Sequence, residues 1–179
     1  MKNKENLYAS IPYVDKKVSR IFAGTAFSPI QDGADGTDFF EAALANGINA
    51  FDTARVYMEA EHSFGNWLEK SGRREEVVIL SKCGHPDAMW NKRVNEKEMR
   101  KDLKKSLEEL KTDYIDIYQF HNPSFCPRPG GEDGLYDAAL EAKKQGKIRH
   151  ISLSNHRLLV AHEAIDSGLY ATLQFPFSY

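Results

Sequence analysis

Residues 77–120, VVILSKCGHPDAMWNKRVNEKEMRKDLKKSLEELKTDYIDIYQF, decide the fold. The stretch opens on an apolar, β-branched run that ends in Ser81-Lys82 and closes on another, YIDIYQF at 114–120. Between them Asn95 and Glu98 stand three apart, the spacing of a capping box at a helix start. Met99, Leu103, Leu107 and Leu110 then recur at helical spacing. Strand, helix and strand in succession predict a parallel sheet with helices on its faces.

The same phrase repeats on both sides. Upstream, IPYV (11–14) and VSRIFAG (18–24) read as strands, the first forming an N-terminal β-hairpin. A helix is predicted over 36–46, with Phe39, Phe40, Ala43 and Leu44 on its apolar face; it ends at Gly47, and INAFD (48–52) follows as a strand. A helix near 59–70, carrying Phe64, Trp67 and Leu68, leads into 77–82. Downstream, a helix near 133–145 gives IRHISLS (148–154), and one near 156–167 gives ATLQF (171–175). Six barrel-type strands result, each of the last five preceded by a helix. The expected fold is α/β: a (β/α)8 TIM-type barrel, incomplete at about six of its eight units, in a single domain over 1–179. The longest unpatterned pieces, 83–95 and 121–132, both follow strands, which is where function collects in such barrels.

Bulk properties remove several partner classes. The net charge is −2 and the pI near 6.3, which gives no electrostatic reason to expect nucleic acid or an anionic membrane. No apolar run reaches the roughly 20 residues that span a bilayer. The opening MKNKENLYAS has charge but no apolar stretch behind it, so no secretory signal is read there. The two cysteines, Cys83 and Cys126, are too sparse for a disulfide framework and read as free thiols in a reducing, cytoplasmic setting. The histidines His62, His85, His121, His150, His156 and His162 are scattered without metal-ligand spacing, so no metal site is expected. No Gly-x-Gly-x-x-Gly occurs to support a doubly wound dinucleotide fold.

Strand interiors in an α/β protein are apolar, so polar residues at strand C-termini need a cause. INAF closes with Asp52-Thr53-Ala54, VVIL with Ser81-Lys82, DIYQF with His121-Asn122-Pro123, and HISL with Ser154-Asn155-His156. Alone, such an Asp is more often a helix cap, such a Lys solvated, and such a His the start of a turn. Four of them at the same end of successive units meet on one face of a barrel, the face that carries active sites.

With these residues in place the chain resembles the aldo-keto reductase family. The run GINAFDTARVYMEAE (47–61) is similar to the family signature, and VVILSKCG, YIDIYQFHNP, IRHISLSN and TLQFPFSY follow in family order. The resemblance covers nearly the whole chain from about residue 11. It implies a catalytic group of Asp52, Tyr57, Lys82 and His121. It also implies an NADP(H) cofactor, with the nicotinamide carboxamide held by Ser154, Asn155 and Gln174, and with Gly24, Thr25 and Asp52 beside it. Met58 stands where a Gly often follows the tyrosine, and Phe177 where many relatives have Tyr.

The implied reaction reduces an aldehyde or ketone, a small-molecule carbonyl substrate, with hydride from the nicotinamide and a proton from the protein. A phenol of pKa about 10 is a poor acid near neutral pH, and a cation within about 4–6 Å favours its ionised form. Lys82 is the expected cation, Asp52 its ion partner, and His121 the donor that polarises the carbonyl. The alternatives are a non-catalytic relative used as a binding or regulatory module, and a barrel enzyme of another class. The seventh and eighth strands, whose loops frequently hold phosphate, are missing from the pattern. Open first and sixth strands are expected to favour self-association.

Overall fold

The strand pattern resolves into two sheets. The computed structural model describes residues 7–11, 14–85 and 94–177. Strand β1 (Tyr8–Ser10) pairs antiparallel with β2 (Lys17–Ser19) as a hairpin. The second sheet is parallel and six-stranded, in chain order: β3 (Phe22–Gly24), β4 (Ala50–Asp52), β5 (Val78–Cys83), β6 (Ile115–His121), β7 (Ile148–Ser154) and β8 (Leu173–Gln174). Among the described residues one α-helix lies between each successive pair: α1 (Thr37–Ala45), α2 (Ala60–Ser71), α3 (Glu96–Glu109), α4 (Leu135–Lys144) and α5 (Leu158–Ser167). Unbroken strand order with a helix in every crossover is the arrangement of an incomplete (β/α)8 barrel.

The sequence places the N-terminal hairpin one strand-length off. Its first strand is Tyr8–Ser10, and neither Ile11 nor Val14 belongs to a strand; Pro12 and Tyr13 lie outside the described residues. The expected strand 18–24 is two strands. The Ser19 hydroxyl donates to the Ile21 carbonyl at 2.7 Å and the Arg20 amide to Leu7 at 2.8 Å, so the chain turns between hairpin and barrel. Of the expected loop 83–95, residues 86–93 lie outside the described residues. The capping at Asn95 is present: its side chain accepts from the Glu98 amide at 3.0 Å.

Alternation along the strands divides the core in two. Ala50, Val78, Leu80 and Ile117 form a small inner cluster, closed from below by Val18 of β2. Phe51, Ile79, Tyr118, Phe120, Ile151 and Leu153 face the helices in a much larger outer cluster. Because side chains alternate with period two, Asp52, Lys82 and His121 fall on the same inward face as Ala50, Leu80 and Ile117, at the strand ends. At the opposite end Asp116, almost fully buried, accepts from Arg74 at 2.8 Å and from the Ile79 amide at 3.0 Å. The Arg74 and Arg149 guanidinium groups both lie over the Tyr114 ring, 3.8 and 3.9 Å from its centroid.

The helix layer is held most tightly where α2 meets its neighbours. Phe40, Phe51, Phe64 and Trp67 form a ring cluster with centroids 4.8–6.0 Å apart. Gly65 lets α2 approach the end of α3: a Cβ there would come within 1.9 Å of the Glu109 carbonyl oxygen. Since that neighbour is backbone, Gly65→Ala is expected to force the helices apart and cost about 3 kcal/mol, the upper part of the overpacking range. Gly72→Ala, at φ +67° with open space around it, is expected to cost only about 1 kcal/mol from its left-handed backbone. Urea denaturation of the two variants beside the parent chain measures the difference; equal losses contradict the close-approach account.

Candidate active site

The end of β4 and the loop beyond it converge on the Lys82 ammonium at the end of β5. Its Nζ donates to Asp52 Oδ1 at 2.6 Å, to the Thr53 carbonyl at 2.9 Å and to the Tyr57 hydroxyl at 3.2 Å. The lysine side chain is 1% exposed and that of Asp52 13%. An ammonium has three donors, and all three are used. A charge so deep in the protein is tolerated only when paired and hydrogen-bonded. The arrangement therefore fixes Tyr57, which lies on the loop between β4 and α2, against the end of β5.

The loop is short and tightly bonded. The Tyr57 amide donates to Ala54 and its carbonyl accepts from Ala60, both at 2.9 Å. The Tyr57 ring meets the His121 ring edge-on, at 6.0 Å and 88°. His121 Nδ1 is buried with no hydrogen-bond partner among the described residues. Burial pushes the His121 imidazole down to a pKa of about 3, helped by the charges of Lys82, His85 and His156, so the ring is neutral at physiological pH. His85, just past the end of β5, packs its ring 4.6 Å from that of His121.

The residues expected to hold a nicotinamide are gathered on the same face, with differing freedom. Ser154 and Gln174 are register partners at the ends of β7 and β8, and Gln174 Nε2 donates to Asp52 Oδ2 at 3.1 Å. Asn155 is fully buried and its amide is engaged locally, with the Pro123 carbonyl at 2.8 Å and the Arg157 amide at 2.7 Å. Thr25 is also buried; its amide and hydroxyl both donate to the Asp52 carbonyl, at 3.0 and 3.1 Å, so it anchors Asp52 rather than facing the opening. Gly24 pairs with Asp52 at the rim, and a Cβ there would meet nothing within 4 Å. A cavity of about 500 Å³ runs from Asp52 and Gln174 down to Phe22, Leu80 and Ile117. Gln119 lines it with both amide atoms buried and unpartnered among the described residues.

Sequence reasoning missed a second polar layer beneath the loop. Arg55 Nη1 donates to Glu61 Oε2 at 2.5 Å, and Ser81 Oγ donates to Glu61 Oε1 at 2.6 Å, with Glu61 fully buried. The signal was available: Glu61, Phe64, Gly65 and Leu68 share one helical face, so a carboxylate sits on the buried stripe of α2. The contact of His85 with His121 had no such signal, since it joins residues far apart in the chain.

Comparison with known proteins bears on the family and the fold. The model of the aldo/keto reductase family matches residues 22–175. Protein tas of Escherichia coli is 31% identical across 96% of this chain and 60% of its own length. Glyoxal reductase of Bacillus subtilis is 34% identical across 75% of this chain and 45% of its own. The structure of a holo-form aldo-keto reductase from Bacillus halodurans superposes with a TM-score of 0.79 at 25% identity, covering 96% of this chain and 57% of that one. The chain thus spans 60% or less of the length of these relatives. A parallel sheet of six barrel strands, a family match over most of the chain and an inward-facing cluster at the strand ends agree: this chain belongs to the aldo/keto reductase family.

Proposed function

We propose that this site reduces an aldehyde or ketone to an alcohol with NADPH, and that Tyr57 delivers the proton. The observation that carries it is the bond from the Lys82 ammonium to the Tyr57 oxygen at 3.2 Å. Because the ammonium donates to that oxygen, the phenol's own proton is directed away from Lys82. The hydroxyl is thereby held where its proton can pass to a substrate oxygen and not to the lysine, the placement a general acid requires. Asp52 holds the Lys82 side chain in place through its bond at 2.6 Å. The His121 ring, neutral and edge-on to Tyr57, supplies a hydrogen bond to a carbonyl oxygen from Nε2, since Nδ1 is buried.

The polar groups at the ends of β7 and β8 fit a nicotinamide. Ser154 and Gln174 present hydroxyl and amide groups suited to a carboxamide, while Asn155, spent on Pro123 and Arg157, shapes the rim, and the open space at Gly24 leaves room beside Asp52. A reduced nicotinamide supplies the hydride when bound. NADPH rather than NADH, and a small aldehyde or ketone as substrate, are carried over from the family. We take the chain as six units of a single eight-unit domain; the share of the relatives' length it covers supports this.

Tyr57→Phe is expected to lower kcat for 4-nitrobenzaldehyde by at least about 100-fold, the lower end of what a positioned general acid contributes. Quenching of NADPH fluorescence is expected to change little, since the ring is retained. The assay is run on this chain and on one extended by two further βα units, and with NADH as well as NADPH. Most of the rate surviving in Tyr57→Phe sinks the assignment.

Neutral His121 also sets a pH dependence of stability. Its pKa is about 3 when folded against an ordinary 6.5 when unfolded. Above 6.5 both states are neutral and the full stability is present; as pH falls toward 3 only the unfolded chain takes the proton. Stability is therefore lost on acidification by up to about 1.4 kcal/mol per pH unit. His121→Asn is expected to make the fall in denaturation midpoint between about pH 6 and pH 4 shallower. An unchanged slope contradicts a buried neutral imidazole.

A further inference from the structure

The turn that carries Tyr57 is strained at a residue that is not glycine. Met58 has φ 47°, a left-handed conformation that crowding between Cβ and the backbone disfavours for L residues. Its side chain does not hold it there by packing, since the residue is 55% exposed. The restraint comes from beneath. Arg55 Nη2 donates to the Met58 carbonyl at 3.4 Å, while its Nη1 donates to Glu61 Oε2 at 2.5 Å. The other Glu61 oxygen accepts from Ser81 Oγ at 2.6 Å.

Ser81 directly precedes Lys82 and faces the helices, while Lys82 faces inward. Arg55 is tied to the same strand end by its own amide, which donates to the Lys82 carbonyl at 3.1 Å. A continuous path thus runs from the Met58 carbonyl through Arg55, Glu61 and Ser81 to the strand that holds Lys82. Burial pushes the Glu61 carboxyl up from the usual range, against the pull of Arg55 and the Ser81 hydroxyl. A carboxylate placed in so costly a position, and paired on both oxygens, is fixed more firmly than a surface ion pair.

We propose that the Arg55–Glu61 pair is a brace that keeps the Tyr57–Met58 turn left-handed, and so keeps the Tyr57 hydroxyl on the Lys82 ammonium. It supplies by hydrogen bonds a conformation that glycine at position 58 adopts without strain. Arg55 and Glu61 are positioning residues, acting only through the turn. The kinetic consequence rests on Tyr57 as the proton donor; the geometric one does not.

The test is a cycle in which Glu61→Gln and Arg55→Lys are each combined with Met58 or with Met58→Gly. Crystal structures of the variants read the Tyr57 hydroxyl to Lys82 Nζ separation, 3.2 Å in the parent. With Met58 present, Glu61→Gln is expected to widen it by about 1 Å, enough to cost on the order of 100-fold in a positioned reaction. With glycine at 58 the hydrogen bond is expected to persist. Turnover is expected to follow: a loss in kcat of about 10- to 100-fold with little change in KM, most of it recovered by Met58→Gly.

A merely structural role for the pair predicts the same loss whether residue 58 is Met or Gly. Equal losses, or a separation that stays at its parent value in Glu61→Gln, overturn the proposal. Should Glu61→Gln fail to fold, the Arg55→Lys arm decides, because lysine keeps the charge but lacks the forked donors that span Glu61 and Met58. Should the parent chain and its extended form leave carbonyl substrates untouched, the reductase reading fails, and the separation in the variant structures still decides the brace.

Discussion

The Lys82 ammonium is the constraint on which the upper half of this structure depends. A charge with 1% of its side chain exposed needs partners on every donor, and it finds them on β4, on the residue after β4 and on the loop beyond. Those bonds fix where Tyr57 stands and hold Asp52 inward. Asp52 is held in turn from outside, through Thr25 on its carbonyl and Gln174 on its second carboxylate oxygen. The Gln174 bond connects β8 back to β4 across the mouth of the cavity, residues 122 apart in the chain.

Strand alternation turns one polar strand end into two layers with different work. On β5, Lys82 faces inward among the site residues, while Ser81 faces the helices and bonds Glu61. The inner layer lines the cavity, and the outer one lies beneath the loop that carries Tyr57. Polar groups in both layers are costly to bury, and most are satisfied by a partner on a different element. Gln119 and His121 Nδ1 are exceptions among the described residues, and both lie on the inward side.

The two ends of the sheet are unlike. At the N-terminal end of the strands, Asp116, Arg74, Arg149, Tyr114 and Lys16 form a closed set of ion pairs and ring contacts beneath the hairpin. At the C-terminal end the polar groups surround an opening. Closed ion pairing at one end of the strands and an opening at the other is a division the barrel architecture permits.

The sequence by itself determined the elements and their order, because those follow from local periodicity. The apolar stripes, the cap at Asn95 and the glycines after the helices placed five helices and six barrel strands near their observed positions. The hairpin was misplaced because its register depends on contacts such as Ser19 with Asn49, thirty residues apart, which no local pattern encodes. The inward group of Asp52, Lys82 and His121 was legible from strand ends and period two. Only the tertiary structure decided that Thr25 and Asn155 are engaged inside the protein, that the His85 ring packs at a tilt against His121, and that Glu61 joins Arg55 to Ser81. Each of these depends on which side chains burial leaves without water, and that is fixed by how the strands and helices pack against one another rather than by any one of them.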